Sequence, residues 1–529
     1  MAEKTIVNDS PRKRKKGDVI EFKNKGTYYF TVTLDMTVSH NRIKKRVLLG
    51  QFLSVGEYKN DSAPENCHLD TDYCLKSAKV TLDMLLSEHP QNREYLDFLN
   101  YKGDNLRSIL AVNKDTLALW DFINNPQISS ATAETVLDCA VIEPYYKPFD
   151  MALFDSNEKK LCCLAQVVDG LYQLYGCSFN AIKSIIAHRD LKFSNIVIDK
   201  TQDKADIKLI DFSSIKTDFM LDHYNKLSKG ALSPSNTAPE DVMEEYAVSE
   251  KNDVFALGIM LAEIFGIFDD GENRNPLSML FDNAGIDLSD TKSVAEFYRE
   301  IIDVSSYGQN PHWLENALPS SADWSVENTL TGIKQLFEAS TRLIPDDRIT
   351  LCEFEDGLYG LLKKAQKSIT YPENYTVFLI SKDGIEENKN SYIKTACEIM
   401  KAQNVCPVII EYSSKSGIVI NANNMAVSLC DSELISTPLA LKHHIRAIKQ
   451  GAFGYSELCG AIYCAYENLN NISLGASFNG EFHIFAKEAP TNDNCCVLHF
   501  DGEKTLDIET LLDSHRELKI IIHTNGKDD

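Results

Sequence analysis

Residues 188 to 195 read His188-Arg189-Asp190-Leu191-Lys192-Phe193-Ser194-Asn195, and sixteen residues after that Asn comes Asp211, behind Ile207-Lys208-Leu209-Ile210 and ahead of Phe212-Ser213. These side chains are a carboxylate, an ammonium two residues on, an amide three further, and a second carboxylate at the end of an apolar strand pattern. Phosphoryl transfer needs one carboxylate to orient the acceptor hydroxyl, and an amide plus a second carboxylate to hold the Mg2+ ions that neutralise the phosphates. Asp190, Asn195 and Asp211 supply that set.

A His-Arg-Asp string alone is an ordinary loop tripeptide, so order and spacing along the chain carry the weight. Downstream come Ser233-Pro234, then Ala238-Pro239-Glu240, then Asp253-Val254-Phe255-Ala256-Leu257-Gly258 opening a long apolar stretch, and finally Arg342 to Arg348. In this order the blocks resemble the C-lobe of eukaryotic-type protein kinases. The resemblance implies that Asp190 orients the hydroxyl and that Lys192 reaches the transferred phosphoryl group, as it does with Ser/Thr acceptors. It gives Asn195 and Asp211 to the metal and sets Asp253 to brace the catalytic-loop backbone. It also implies an ion pair between Glu240 and Arg348. Ser228 is the candidate phosphosite, and Ser233 has a structural role beside Asp190 and Lys192.

The upstream part is more divergent. Tyr73-Cys74-Leu75-Lys76 alternates like a strand, and eighteen residues after Lys76 comes Glu94, in the run Arg93 to Leu99 that has helical apolar spacing. By resemblance Lys76 anchors the phosphates and pairs with Glu94; the competing readings are that Lys79 is the anchor or that both are solvated surface lysines. The best phosphate-covering loop is Leu49 to Gly56, with only Gly50 and Gly56 where the family has three glycines, and Asp35 to Asn41 is an alternative place for it. Strands are expected near Ile109 to Val112, Leu117 to Trp120 and Val136 to Ile142. The last leads into a hinge, Val141 to Tyr145, where Glu143 and Tyr145 would meet adenine and Ile142 would guard the back of the pocket. Phe98, His188 and Phe212 would stack between the lobes. Leu161, Leu164, Val168, Leu171 and Tyr175 mark an amphipathic helix before the catalytic loop. Ser213, where the family has Gly, would narrow the inactive conformations.

The expected fold class is α+β: a bilobal protein-kinase fold with an additional C-terminal α/β or α+β domain. Its divisions are a flexible basic tail over 1–20, an N-lobe over 21–143, a C-lobe over 144–368 and a domain of unknown function over 375–529. The last domain carries β-type runs at Tyr375 to Ile380 and Val405 to Tyr412 around a helix from Asn388 to Ala402. Helices at Leu439 to Lys449 and Ser456 to Tyr466 and strands near Phe482 to Ala486, Val497 to Phe500 and Leu518 to His523 follow. No motif there carries chemistry, so an adaptor role toward substrate or partner is reached by elimination.

With 529 residues, several domains are expected; 43% hydrophobic and 25% charged residues are ordinary for a soluble globular protein. A net charge of −23 argues against a general nucleic-acid binder. No apolar run reaches membrane-spanning length, since Val254 to Phe268 is short and interrupted by Glu263. The polar N-terminus has no signal-peptide core. Fourteen cysteines without metal-type spacing fit a reducing cytosol. Pro11 to Lys16 resembles a nuclear-import signal, with a solvated tail as the competing reading.

The function implied by the resemblance is a serine/threonine protein kinase using ATP and Mg2+ on a protein substrate. A pseudokinase scaffold is the alternative of a different class, and a small-molecule kinase is a further one. A standard catalytic core, a worn N-lobe and an unfamiliar appended domain also resemble kinases that bacteria deliver into host cells, which implies the host cytosol.

Overall fold

Alternating apolar residues build the first sheet. Strands β1 (Val19–Lys23), β2 (Thr27–Asp35), β3 (Lys45–Phe52), β4 (Tyr73–Thr81), β5 (Ala111–Val112) and β6 (Val136–Pro144) pair antiparallel in the order β1-β2-β3-β4-β6-β5. One face carries Phe30, Val32, Leu48, Phe52, Tyr73, Leu75, Ala140 and Ile142 as a buried cluster. In an antiparallel pair, directly opposed residues share a face and the next residue faces the other way. Lys76 opposes Val141 and Leu75 opposes Ile142, so Lys76, Val141 and Glu143 lie on the second face. The structure, a computed structural model, describes residues 19–23, 27–35, 45–52, 72–81, 93–124, 135–179, 183–199, 206–217, 234–243, 249–268, 275–303, 313–314, 328–365, 374–382, 384–412, 418–420, 426–428, 432–434, 437–449, 477–487, 498–500, 504–506, 519–524 and 527–528. Expectations at the 11–16 cluster, Gly56, Ser228, Ser233 and the 456–466 helix lie outside them, as does most of the 35–41 alternative loop.

Leu117 to Trp120 is not a strand but the middle of helix α1 (Lys114–Asn124). Asn113 starts that helix by accepting from the Thr116 amide at 3.0 Å, as a side-chain cap does. Thr116, Leu119, Phe122 and Ile123 then recur on its buried face. Because β5 is two residues long, much of one edge of β6 is left to side chains. Asn113 and Thr116 accept from the Ala140 amide, and Asp115 accepts from that of Asp138. Arg93 to Phe98, expected to be helical, forms a short 3-10 helix.

Below this sheet come β7 (Lys147–Pro148), helix α2 (Asn157–Tyr175), β8 (Ser178–Phe179), β9 (Lys183–Ala187), β10 (Ile196–Asp199), β11 (Asp206–Leu209) and β12 (Lys216–Thr217). The helices that follow are α3 (Pro239–Met243), α4 (Glu250–Phe265), α5 (Pro276–Asn283), α6 (Thr291–Asp303), α7 (Asn328–Ser340) and α8 (Leu351–Ala365). Helix α2 is capped by Ser156 and buries Leu161, Leu164, Val168 and Leu171, as its apolar spacing requires. Helix α4 is buried almost all round, from Asn252 to Ile264, and packs against α2 and α7. A Ser249–Asn252 capping box opens it, and Gly266, at φ 64°, closes it in the left-handed conformation that favours glycine.

The chain divides into two compact units, Met1–Ala365 and Gln366–Asp529. In the second, strands β13 (Asn374–Ser381), β14 (Val405–Tyr412), β15 (Ile418–Ile420), β16 (Ala426–Ser428), β17 (Ser432–Leu434), β18 (Ser477–Phe485), β19 (Leu498–Phe500), β20 (Lys504–Leu506), β21 (Lys519–Thr524) and β22 (Lys527–Asp528) include a six-stranded sheet ordered β17-β14-β13-β18-β21-β22. Its β14-β13-β18-β21 core is parallel, and helix α9 (Ile385–Gln403) makes the crossover from β13 to β14. Phe378, Ile380, Ile409 and Phe485 pack with Tyr392 and Met400 of α9 and Leu441 and Ile445 of α10 (Pro438–Ala447). Val377 and Leu379, which point to the other face of β13, are also fully buried, as in central strands of parallel sheets. This unit is therefore α/β. Among the described residues no helix is long and apolar enough to cross a membrane.

Candidate active site

The loop that carries Asp190, Lys192 and Asn195 starts at the end of β9 and finishes where β10 begins. Residues Ile196 and Ile198 of β10 and Ile207 and Leu209 of β11 are buried, and the two strands pair with Ile196 opposite Leu209. That hairpin brings Asn195 and Asp211 to one end, where the Ile210 amide donates to the Asn195 carbonyl at 3.0 Å. Asn195 Nδ2 donates to both the carbonyl and Oδ2 of Asp190, each at 2.8 Å. Lys192 Nζ lies 3.1 and 2.9 Å from the two Asp190 carboxylate oxygens. Asp190, Lys192, Asn195 and Asp211 are thus held together by local geometry.

Asp253 of α4 braces this loop as its sequence position implies. Its carboxylate accepts the backbone amides of His188 at 2.6 Å and Arg189 at 2.8 Å, and the Tyr175 hydroxyl at 2.5 Å. Burial raises the Asp253 pKa above the ordinary carboxylate value, with His188 and these hydrogen bonds opposing the shift. Burial and the Asp253 charge raise that of Tyr175. The reward is a loop able to hold Arg189 at φ 70°, a conformation uncommon outside glycine. Arg189 Nε pairs with Asp241 Oδ1 at 2.9 Å, a partner the sequence reading missed. Phe193, where the family usually has Pro, stacks on Phe149 at 4.5 Å.

The expected Glu240–Arg348 pair is present and bidentate, with contacts of 2.6 and 3.0 Å and both side chains fully buried. Arg348 also donates to the carbonyls of Arg342 and Lys251, and its guanidinium lies 5.0 Å from the Phe255 ring centroid. Burial raises the Glu240 pKa, and the Arg348 charge limits the rise.

Asp211, not the residue after Phe212, takes the left-handed conformation, at φ 62°. Ser213 therefore needs no glycine-like backbone. Its hydroxyl donates to Asp211 Oδ1 at 2.7 Å, which gives the serine a definite contact with the second carboxylate. The ring nearest Phe212 is Tyr101, 4.4 Å away, with His188 at 5.8 Å on an edge contact. Phe98, expected in that stack, is buried, and its carbonyl accepts the Trp120 indole. The Tyr101 hydroxyl, just beyond the 3-10 helix, donates to the Leu96 carbonyl at 2.9 Å.

On the upper sheet Lys76 is buried and Lys79 exposed. Lys76 Nζ lies 3.0 Å from Glu143 Oε2, while Arg107 Nη1 lies 2.5 Å from Glu143 Oε1. Glu94 sits on the 3-10 helix, and its side chain is outside the described residues. Ile142 does not share the Lys76 face: it belongs to the cluster around Phe30. Tyr145 is exposed. Gly50, expected in a phosphate loop, stands inside β3, opposite Val32 and Tyr73. A Cβ there would meet the Thr31 carbonyl oxygen at 2.2 Å and the Phe30 ring at 2.4 Å, so close packing within the sheet demands the glycine.

Arg107 was invisible as a functional residue in the sequence. It is fully buried, donates to the Asp97 carbonyl, and lies 5.2 Å from the Phe212 ring centroid. Burial works against its charge, yet Glu143 and Asp97 outweigh it and the guanidinium pKa is raised. The Asp97 carboxylate in turn accepts the Phe212 amide at 2.8 Å. A lone arginine between Leu106 and Ile109 and a glutamate two residues beyond Val141 were the available signals.

A family model described as the protein kinase domain matches residues 119–304. This span, about a third of the chain, resembles a protein kinase domain. The matched span holds Asp190, Lys192, Asn195, Asp211, Glu240 and Asp253, while Lys76, Arg107 and Arg348 lie outside it. No curated protein matches the chain.

Proposed function

We propose that the chain is an active serine/threonine protein kinase that transfers the γ-phosphoryl group of ATP. The observation that carries this reading is the cluster of Asp190, Lys192 and Asn195 within hydrogen-bond distance, at the end of the hairpin that also presents Asp211. A scaffold has no physical need for that constellation.

In the transfer step the acceptor oxygen forms a bond to the γ-phosphorus, the bond from that phosphorus to the β-bridging oxygen breaks, and the hydroxyl proton passes to Asp190. Lys192, beside the same carboxylate, offsets charge on the transferred group. Lys76 supplies the ammonium for the α- and β-phosphates. Oxygen atoms suit Mg2+, and the Asp211 carboxylate with the Asn195 amide oxygen are the residues that would hold it. Bound there, Mg2+ neutralises phosphate charge.

The test is incorporation of labelled phosphate from Mg-ATP into a generic protein substrate, followed by identification of the modified residue type. Asp190→Asn is expected to leave the fold intact and lower transfer by about two to four orders of magnitude. Unchanged transfer by that variant, or phosphate on tyrosine alone, would overturn the reading.

A further inference from the structure

Lys76 and Glu143 belong to neighbouring strands of one sheet. Lys76 opposes Val141, and Glu143 lies two residues further on the same face, so a diagonal contact across the β4–β6 ladder joins them. The pair measures 3.0 Å, with side-chain exposures of 9% and 3%. A buried carboxylate held by one cation alone would still turn on its own torsion. Arg107 takes the other oxygen at 2.5 Å, so the carboxylate is gripped from both sides.

The grip extends to β11, the strand that leads to Asp211. The backbone around Arg107 is fixed to β11, with the Arg107 amide donating to the Leu209 carbonyl at 3.1 Å and the Leu209 amide donating to that of Asn105 at 2.8 Å. The Arg107 guanidinium lies against the Phe212 and Tyr101 rings, and Asp97 joins the Arg107 side chain to the Phe212 amide.

We propose that Glu143, clamped by Arg107, is the positioning residue that sets Lys76 against the phosphates, and that the same clamp ties Lys76 to the Asp211-Phe212 segment. This rests on the kinase reading above. Its physical consequence is that the anchoring pair forms when the sheet forms. No helix has to swing to complete it, so the lysine is placed in the nucleotide-free protein.

The experiment uses the full chain and measures both Mg-ATP affinity by calorimetry and turnover for Glu143→Gln, Glu94→Gln, Lys79→Met and Lys76→Met. Glu143→Gln is expected to weaken Mg-ATP affinity by about tenfold or more, since removing a charged hydrogen-bond partner leaves Lys76 unfixed. Lys79→Met should match wild type. In a Lys76→Met background, Glu143→Gln should add little, because the two act as one unit. An equal loss in both backgrounds would assign Glu143 a structural role only and overturn the proposal. So would a larger loss from Glu94→Gln than from Glu143→Gln. If Glu143→Gln does not fold, the joint change Arg107→Met with Glu143→Leu removes the buried Arg107–Glu143 pair and keeps Lys76, and apolar replacement of a buried ion pair is often tolerated. The same affinity loss is then expected, and wild-type affinity would overturn the proposal. Wild-type binding without turnover would remove the kinase reading while the Glu143 comparison still stands on affinity. Absence of Mg-ATP binding by wild type would remove both.

Discussion

The two halves of the first unit place their charged residues by different means. In the lower half, Asp190, Lys192 and Asn195 meet because five residues of loop return on themselves, and a short hairpin carries Asp211 to the same end. In the upper half, Lys76 and Glu143 meet because two strands 67 positions apart, counted from one residue to the other, adopt a particular register. Local spacing survives in the sequence as a motif. Register does not, because a slip of one residue would turn each side chain to the other face without altering the composition.

This contrast can be tested by striking each half where its own device lies. The largest effect is expected from Arg348→Met, which leaves Glu240 buried without its cation and deprives the Arg342 and Lys251 carbonyls of a donor. A loss of about 3–5 kcal/mol in unfolding free energy is expected, measured by denaturant titration. A change below about 1 kcal/mol would show that the C-lobe does not depend on this buried pair.

A smaller effect, confined to the upper sheet, is expected from Gly50→Ala. The new methyl would collide with the Thr31 carbonyl and the Phe30 ring, and overpacking of this kind costs about 1–3 kcal/mol. Hydrogen exchange should show β2 and β3 loosened while the catalytic-loop amides bonded to Asp253 keep their protection. Full stability combined with weakened Mg-ATP binding would restore Gly50 to a phosphate-contacting role and remove the contrast.

The smallest effect is expected from Ser213→Gly. It removes one hydrogen bond to Asp211, worth about 0.5–1.5 kcal/mol, and it frees a backbone position that is not left-handed in the protein. Turnover should fall by less than about tenfold, with a higher Mg2+ requirement, as the Asp211 carboxylate becomes less fixed. A loss as large as that of Asp190→Asn would mean that the hydroxyl does more than orient Asp211.

Much of the lower half was legible in advance. The motifs pair Glu240 with Arg348 across 108 positions, and the sequence position of Asp253 assigns it to the loop backbone, where it accepts two amides. In the upper half the apolar alternation located β4 and β6, but three details went astray. Leu117 to Trp120 became helix because Asn113 caps it, Tyr101 replaced Phe98 beside Phe212, and Ile142 turned to the Phe30 face. In the second unit the strands β13 and β14 and helix α9 fell close to their expected spans, since a buried parallel strand is a continuous apolar run.

By itself the sequence determined the side chains of the candidate site, their local spacing, the alternation and periodicity that make the hairpin and α2, and the apolar run that makes α4. Tertiary structure alone decided which carboxylate meets Lys76 and which ring meets Phe212, and it buried Arg107 between them. The physical reason is separation: Arg107 reaches Glu143 across 36 positions and Asp97 reaches the Phe212 amide across 115. Contacts of that span are set by the register and packing of whole elements, which no window of neighbouring residues encodes.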